Sequence, residues 1–231
     1  MTGDRCQVSG VGRGVEMLDL GVIDYAEAFR VQEDILKKRI NGQAPDTLIV
    51  LEHHPVVTRG RLSDDNDVLD REYFADKGIP VIRTGRGGKI TYHAPGQLVL
   101  YPIVDLSEKK KDVSFYIDFL EKTVAGTLRG MGVAAGRNVR RRGVWAGGRK
   151  IAFIGIALKK WVTYHGVAVN IGNDLEPFGK IDPCGEGDIE ATSVEEMLGR
   201  KIDMSMARKA FARRFAEDLR KEYGTYEDKA E

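Results

Sequence analysis

A chain of 231 residues with 42% hydrophobic and 31% charged positions holds enough apolar material for one large folded domain. A net charge of +1 excludes a global field that would gather nucleic acid or an anionic membrane, and two cysteines exclude a disulfide framework. No apolar run approaches the roughly 20 residues that span a bilayer, and the first residues lack the apolar core of a secretory signal, so a reducing, cytoplasmic setting is expected.

Residues 1–13 read as a disordered lead and 224–231 as a frayed tail, leaving 14–223 as a single catalytic domain. Val15 to Leu20 alternates as a strand. Asp24 is placed to cap a helix running to about Asn41, with Gly42 as its stop and Ala28, Val31, Ile35, Leu36 and Ile40 on its apolar face. Thr47 to Leu51 reads as a buried strand, and the polar stretch 60–72 as loop. Ile79–Arg83, Lys89–His93 and Gln97–Val104 are strands divided by Gly and Pro.

A helix follows from about Asp112 to Met131, with Ile117, Leu120, Val124, Leu128 and Met131 in one stripe. Val144–Ala146, Lys150–Leu158 and Val162–Ile171 are further strands. Asp203 caps a last helix with Ala207, Phe211, Phe215 and Leu219 on one face; the stretch 200–223 reads as a possible appended unit. Strands cluster centrally without clean βαβα alternation, which points to an α+β fold with a mixed β-sheet flanked by helices.

Cys184 draws attention because Pro183 fixes the backbone before it and Gly185 frees the backbone after it. A lone thiol on such a turn is either a nucleophile or a small buried hydrophobe. Three glycine-rich stretches precede it. Arg86-Gly87-Gly88-Lys89-Ile90-Thr91-Tyr92-His93 is a ligand loop or a hairpin turn; it lacks the spacing of a phosphate-binding loop. Lys150 opens an apolar strand after Gly147-Gly148, either as a solvated strand end or with its ammonium turned into a pocket to favour a thiolate.

His165 beside Gly166 reads as a satisfied core histidine, and His53-His54 as a strand end. Four histidines and no Cys-x-x-Cys give no metal-site spacing. Lys109–Lys111, Arg140–Arg142 and Lys159–Lys160 read as solvated basic clusters, suited to an acidic partner if they share a face.

Taken together, these motifs resemble the lipoyl(octanoyl) transferases of the biotin/lipoate ligase superfamily. The resemblance runs from about Leu18 to Leu198. It rests on Arg86-Gly-Gly-x-x-Thr-Tyr-His93 with Pro95-Gly-Gln97, Gly148-x-Lys150-Ile-Ala152 with Ile154-Gly155, His165-Gly166-x-Ala168-x-Asn170, and Pro183-Cys184-Gly185, in that order, with Lys150 and Cys184 34 positions apart. It implies a biotinyl/lipoyl ligase-like single domain.

The resemblance also implies roles. Cys184 matches the residue that carries the acyl group as a thioester, and Lys150 the lysine that favours its thiolate. Arg86 to His93, Phe153-Ile154-Gly155 and Gly166-Val167-Ala168 match the acyl-binding stretches. The implied donor is octanoyl-acyl carrier protein. The implied acceptors are lipoyl domains of 2-oxoacid dehydrogenase E2 subunits and the glycine-cleavage H protein. No ATP, metal, nucleic acid or membrane is expected, and a monomer is the default. The alternatives are an ATP-dependent lipoate or biotin ligase, a cysteine thioester hydrolase using Cys184 with His165 or His93, and a non-catalytic acyl- or cofactor-binding module. Many family members carry glycine at the position of Ala94; if that backbone needs positive φ, alanine would strain it by roughly 1 kcal/mol.

Overall fold

The computed structural model describes residues 14–107, 109–138, 140–182 and 189–223. Among the described residues, ten strands form two sheets. In the larger sheet, β1 (Val15–Ile23) and β2 (Asp46–His53) pair in parallel, and the remaining pairs are antiparallel. Its order is β1, β2, β6 (Gln97–Ile103), β10 (Val162–Asn170), β9 (Arg149–Lys159), β8 (Val144–Ala146), β7 (Ala135–Arg137). The smaller sheet sets β3 (Val56–Arg59) between β4 (Val81–Arg83) and β5 (Ile90–His93), parallel to the first and antiparallel to the second. Both sheets are therefore mixed, as the chain order of the elements suggests.

The buried middle strands explain the arrangement. Every residue of β2 and β6 is buried, so both faces need cover. Helix α1 (Tyr25–Ile40) covers one face through Ala28 and Leu36, with Val31, Ile35 and Ile40 packed beside them against Ile49, Leu51, Val99 and Ala168. Asp24 stands at its N-cap but makes no side-chain cap bond; Gly42 follows the helix at φ +68°. The other face is covered by α3 (Val113–Gly130), whose Asp112 cap accepts from Phe115 N, and by the terminal helix α5 (Met204–Tyr223). Phe211 and Phe215 pack with Phe119, Leu120 and Leu128 in one core, so the last helix belongs to the body of the fold and is not an appended unit. No helix among the described residues is long and apolar enough to cross a membrane.

Two short helices and two short strands escaped the sequence reading. The stretch 60–72 holds a single 3-10 turn at Asp65–Asp67 and the start of α2 (Arg71–Asp76), capped by Asp70. The short α4 (Val194–Leu198), β3 and β7 are three to five residues long, too short to show a period.

Candidate active site

A cavity of about 140 Å³ lies where the two sheets meet, walled by β5, β6, β9, β10 and the N-terminal end of α1. That size is comparable with core cavities of about 150 Å³ that take up a small hydrocarbon. The three acyl-binding stretches suggested by sequence converge on it. Arg86, Gly88, Lys89, Ile90, Thr91 and His93 line one side; Phe153, Ile154 and Gly155 another; Gly166, Val167 and Ala168 a third. Gly87 and Tyr92 stand back from it. The Gly87 amide donates to Ile156 O at 2.8 Å, and Tyr92 packs edge-on to Phe178 in the cluster that backs the wall residues Ile90 and Phe153.

Lys150 also reaches the cavity. It is 5% exposed, so it is not a solvated strand end. Its Nζ lies 4.9 Å from the Phe153 ring centre and 5.6 Å from that of Trp145, contacts suited to a cation over aromatic faces. Room for its stem comes from Gly143, where an added Cβ would fall 2.6 Å from Lys150 Cε. The Gly143 amide is in turn held by buried Glu121 of α3, which also accepts from Arg137 Nε at 2.8 Å.

The backbone of Lys150 is tied to the chain that follows the cysteine motif. Lys150 N donates to Glu190 O at 2.8 Å, and Thr192 N donates to Lys150 O at 2.9 Å. Before the motif, Asp182 N donates to Asp67 O at 2.8 Å. Cys184 itself lies outside the described residues.

Arg86 is buried, and most of its donors bond within the protein. Nη2 donates to Thr58 O at 2.6 Å, Nε to Thr58 Oγ1 at 3.2 Å and Nη1 to Gly87 O at 3.0 Å. Burial lowers its pKa to about 10. It shapes the loop, and Gly155 permits the close fit, since a Cβ there would meet Gly87 O at 2.8 Å and Arg86 Cδ at 3.2 Å. Lys89 Nζ pairs with Asp67 Oδ1 at 3.0 Å, and that bond raises its pKa.

The histidines can be assigned from their partners. Gln97 Nε2 donates to Tyr92 O and Asn170 Oδ1, so Gln97 Oε1 accepts from His93 Nδ1 at 2.7 Å. Thr58 Oγ1 then donates to His93 Nε2 at 3.1 Å. Both ring nitrogens are engaged, and desolvation holds the pKa of His93 well below its usual value. His53 donates from Nδ1 to Ile23 O and accepts at Nε2 from the Tyr101 hydroxyl at 2.8 Å; burial lowers its pKa to about 4.

His165 corrects the sequence reading, because it is a buried histidine that is not fully satisfied: its Nε2 has no hydrogen-bond partner. It lines the cavity, and burial lowers its pKa to about 3.

Besides His165, four wall residues lie outside the predicted site residues: Tyr25, Val99, Tyr101 and Arg142. Val99 and Tyr101 lie two apart on β6 and share a face. Arg142 is half-exposed, as the reading of a solvated cluster expects, and it also reaches the cavity and pairs with Asp118 and Glu121 of α3. Lys109 departs from that reading: its side chain is 8% exposed and pairs with buried Asp46 at 2.8 Å. Ala94 is not among the three described non-glycine residues at positive φ, which are Lys160, Trp161 and His165; the left-handed position of that loop falls on Gly96 at φ +88°. Alanine is therefore unstrained at 94. Among the described residues no group of three or more His, Cys, Asp or Glu side chains could hold a metal ion.

Residues 24–216 match the lipoyl protein ligase A/B catalytic domain. The chain is 41% identical over 197 residues to an octanoyltransferase of Pelobacter propionicus, covering 85% of this chain and 91% of that protein. It is 40% identical over 202 residues to an octanoyltransferase of Syntrophobacter fumaroxidans, covering 85% and 86%. In fold it is similar to lipoate-protein ligase A bound with ATP, with a TM-score of 0.75 at 18% identity over 90% of this chain and 86% of that one. It is also similar to the biotin protein ligase of Aquifex aeolicus in complex with biotin and ATP, with a TM-score of 0.57 at 16% identity over 89% and 70%. At these identities the structural likeness speaks for the fold alone.

Proposed function

Because the chain belongs to the lipoyl(octanoyl) transferase family, we propose that it moves an octanoyl group from acyl carrier protein to a lysine of a lipoyl domain through a thioester on Cys184. The protein is an acyltransferase of protein lipoylation, and lipoyl domains are its acceptors. The observation that carries the finer reading is the placement of Lys150, buried at a cavity sized for a hydrocarbon and walled by the three matched stretches.

In the first step the Cys184 thiolate attacks the octanoyl carbonyl of the donor thioester. The bond to the phosphopantetheine sulfur breaks, that thiolate leaves, and a new thioester forms on the enzyme. Lys150 as ammonium favours the Cys184 thiolate; its backbone tie to residues 190 and 192, just beyond the cysteine motif, supports that pairing. In the second step the acceptor lysine amine attacks the same carbonyl and gives up a proton, and the carbon–sulfur bond breaks to leave an amide and free Cys184. Thioester exchange is nearly isoenergetic and amide formation is downhill, so neither ATP nor a metal is needed. Backbone amides near Gly88 are candidates to hold the developing oxyanion.

The donor, octanoyl-acyl carrier protein, and the acceptors among 2-oxoacid dehydrogenase E2 subunits and the glycine-cleavage H protein complete this reading, together with a cytoplasmic location. A cysteine hydrolase fits less well. The His93 lone pair already accepts from Thr58, and His165 pairs with Ile156, six residues along β9 from Lys150 or about 20 Å of strand. The test is intact-protein mass spectrometry after mixing with octanoyl-acyl carrier protein and no ATP. An octanoyl adduct absent from Cys184→Ala, and discharged by an unmodified lipoyl domain, is expected. Modification only from free acid plus ATP would move the protein to the ligase branch.

A further inference from the structure

His165 combines three features that its neighbours on β10 lack. It sits inside the strand, paired with Ile156, yet at φ +55°. A non-glycine residue held there stores strain and persists only where surrounding contacts enforce it. Those contacts are visible: its amide donates to Gln32 Oε1 at 2.9 Å, and its ring stacks on Phe29 at 5.5 Å and stands edge-on to Tyr101 at 6.1 Å.

The second feature is direction. Regular alternation would send residue 165 to the face of Val167 and Val169, which pack in the core under α3 and α5. The left-handed backbone instead sets the ring beside Tyr164 and Phe29 on the α1 side, where it becomes cavity wall. The third feature is chemistry. The residue is 1% exposed and its Nε2 has no partner, a state that protein interiors rarely tolerate without a purpose.

We propose that His165 closes the acyl cavity at the end remote from Lys150 and sets the length of the saturated chain that the enzyme accepts. The proposal rests on the acyl-transfer reading above. A chain that stops short of the ring leaves the imidazole nitrogen open to a water molecule. A longer chain presses methylene groups onto an unpaired polar atom, and that mismatch weakens binding by about ten- to a hundredfold.

The test compares wild type with His165→Asn and His165→Gly, two residues that tolerate a left-handed backbone. Transfer to a lipoyl domain is followed with hexanoyl- to dodecanoyl-acyl carrier protein, and the ratio of kcat/KM between chain lengths carries the answer. Wild type is expected to favour octanoyl over dodecanoyl at least tenfold, and both variants to shift that ratio toward the longer chains by about tenfold. Dodecanoyl transfer by wild type as efficient as octanoyl transfer overturns the proposal, whether or not the variants fold. So does a uniform loss at every chain length in the variants, which is what a purely structural histidine would give. Absence of transfer and of acyl adduct at all lengths in wild type would overturn the acyl-transfer reading, and the length role with it.

Discussion

Lys150 and Gly143 interlock: a Cβ at position 143 would lie 2.6 Å from Lys150 Cε and 2.7 Å from Ala152 O, at a φ of +114°. The lysine reaches the cavity because residue 143 has no side chain. Gly143→Ala must therefore push the lysine stem aside, move β9, or strain its own backbone. It is expected to slow acyl-enzyme formation at least tenfold and to destabilise the fold by about 1–3 kcal/mol, measured by single-turnover acylation and urea unfolding. Wild-type acylation in this variant would mean that the position of Lys150 is unimportant.

Lys150→Ala removes the cation proposed to favour the Cys184 thiolate. Acylation at neutral pH is expected to fall by an order of magnitude or more, and its rate to keep rising toward the ordinary thiol range near pH 8.5. A pH–rate profile of the half-reaction with octanoyl-acyl carrier protein reads this directly. An unchanged profile in the variant would remove Lys150 from the mechanism.

Thr58→Val keeps the shape of the side chain but deletes a hydroxyl that donates to His93 Nε2 and accepts from Arg86 Nε and Nη2. Three buried polar atoms lose a partner together. A loss of about 2–3 kcal/mol in unfolding free energy is expected. A loss below 0.5 kcal/mol would show that Arg86 and His93 find other partners.

The buried histidines make stability depend on pH. His53 and His165 have folded pKa values of about 4 and about 3, lowered by burial from 6.5, and that of His93 is also lowered. The unfolded chain binds protons at these sites near pH 6.5 while the folded chain does not. Their stabilising effect is fully present above pH 6.5 and is lost as pH falls toward 4, at up to about 1.4 kcal/mol per pH unit for each histidine. Urea midpoints are expected to drop between pH 7 and pH 5, less steeply in His53→Gln. A flat midpoint over that range would contradict neutral buried histidines.

The long elements were legible because their patterns are physical necessities. The stripe from Ile117 to Met131 and the face from Ala207 to Leu219 announce α3 and α5, and the apolar runs after Gly148 and Trp161 announce β9 and β10. The matched glycine stretches pointed to the cavity walls. What stayed hidden depends on tertiary contact. Nothing near Arg142 or Lys109 in sequence foretells that Asp118 and Asp46 will pair with them. His165 was misjudged because period-two alternation presumes regular backbone, and one left-handed residue sends a side chain to the opposite face. Tyr25 and Tyr101 entered the wall from α1 and β6, elements read only as core.

Strand β10 lies between β6 and β9, so the sheet is completed late in the chain. While the protein is being synthesised, β1, β2 and β6 emerge first and leave the β6 edge open until residue 162 and beyond have left the ribosome. An unpaired, largely apolar edge of that kind invites pairing with another chain. Nascent chains stalled before β10 thus carry an aggregation hazard that the finished sheet does not.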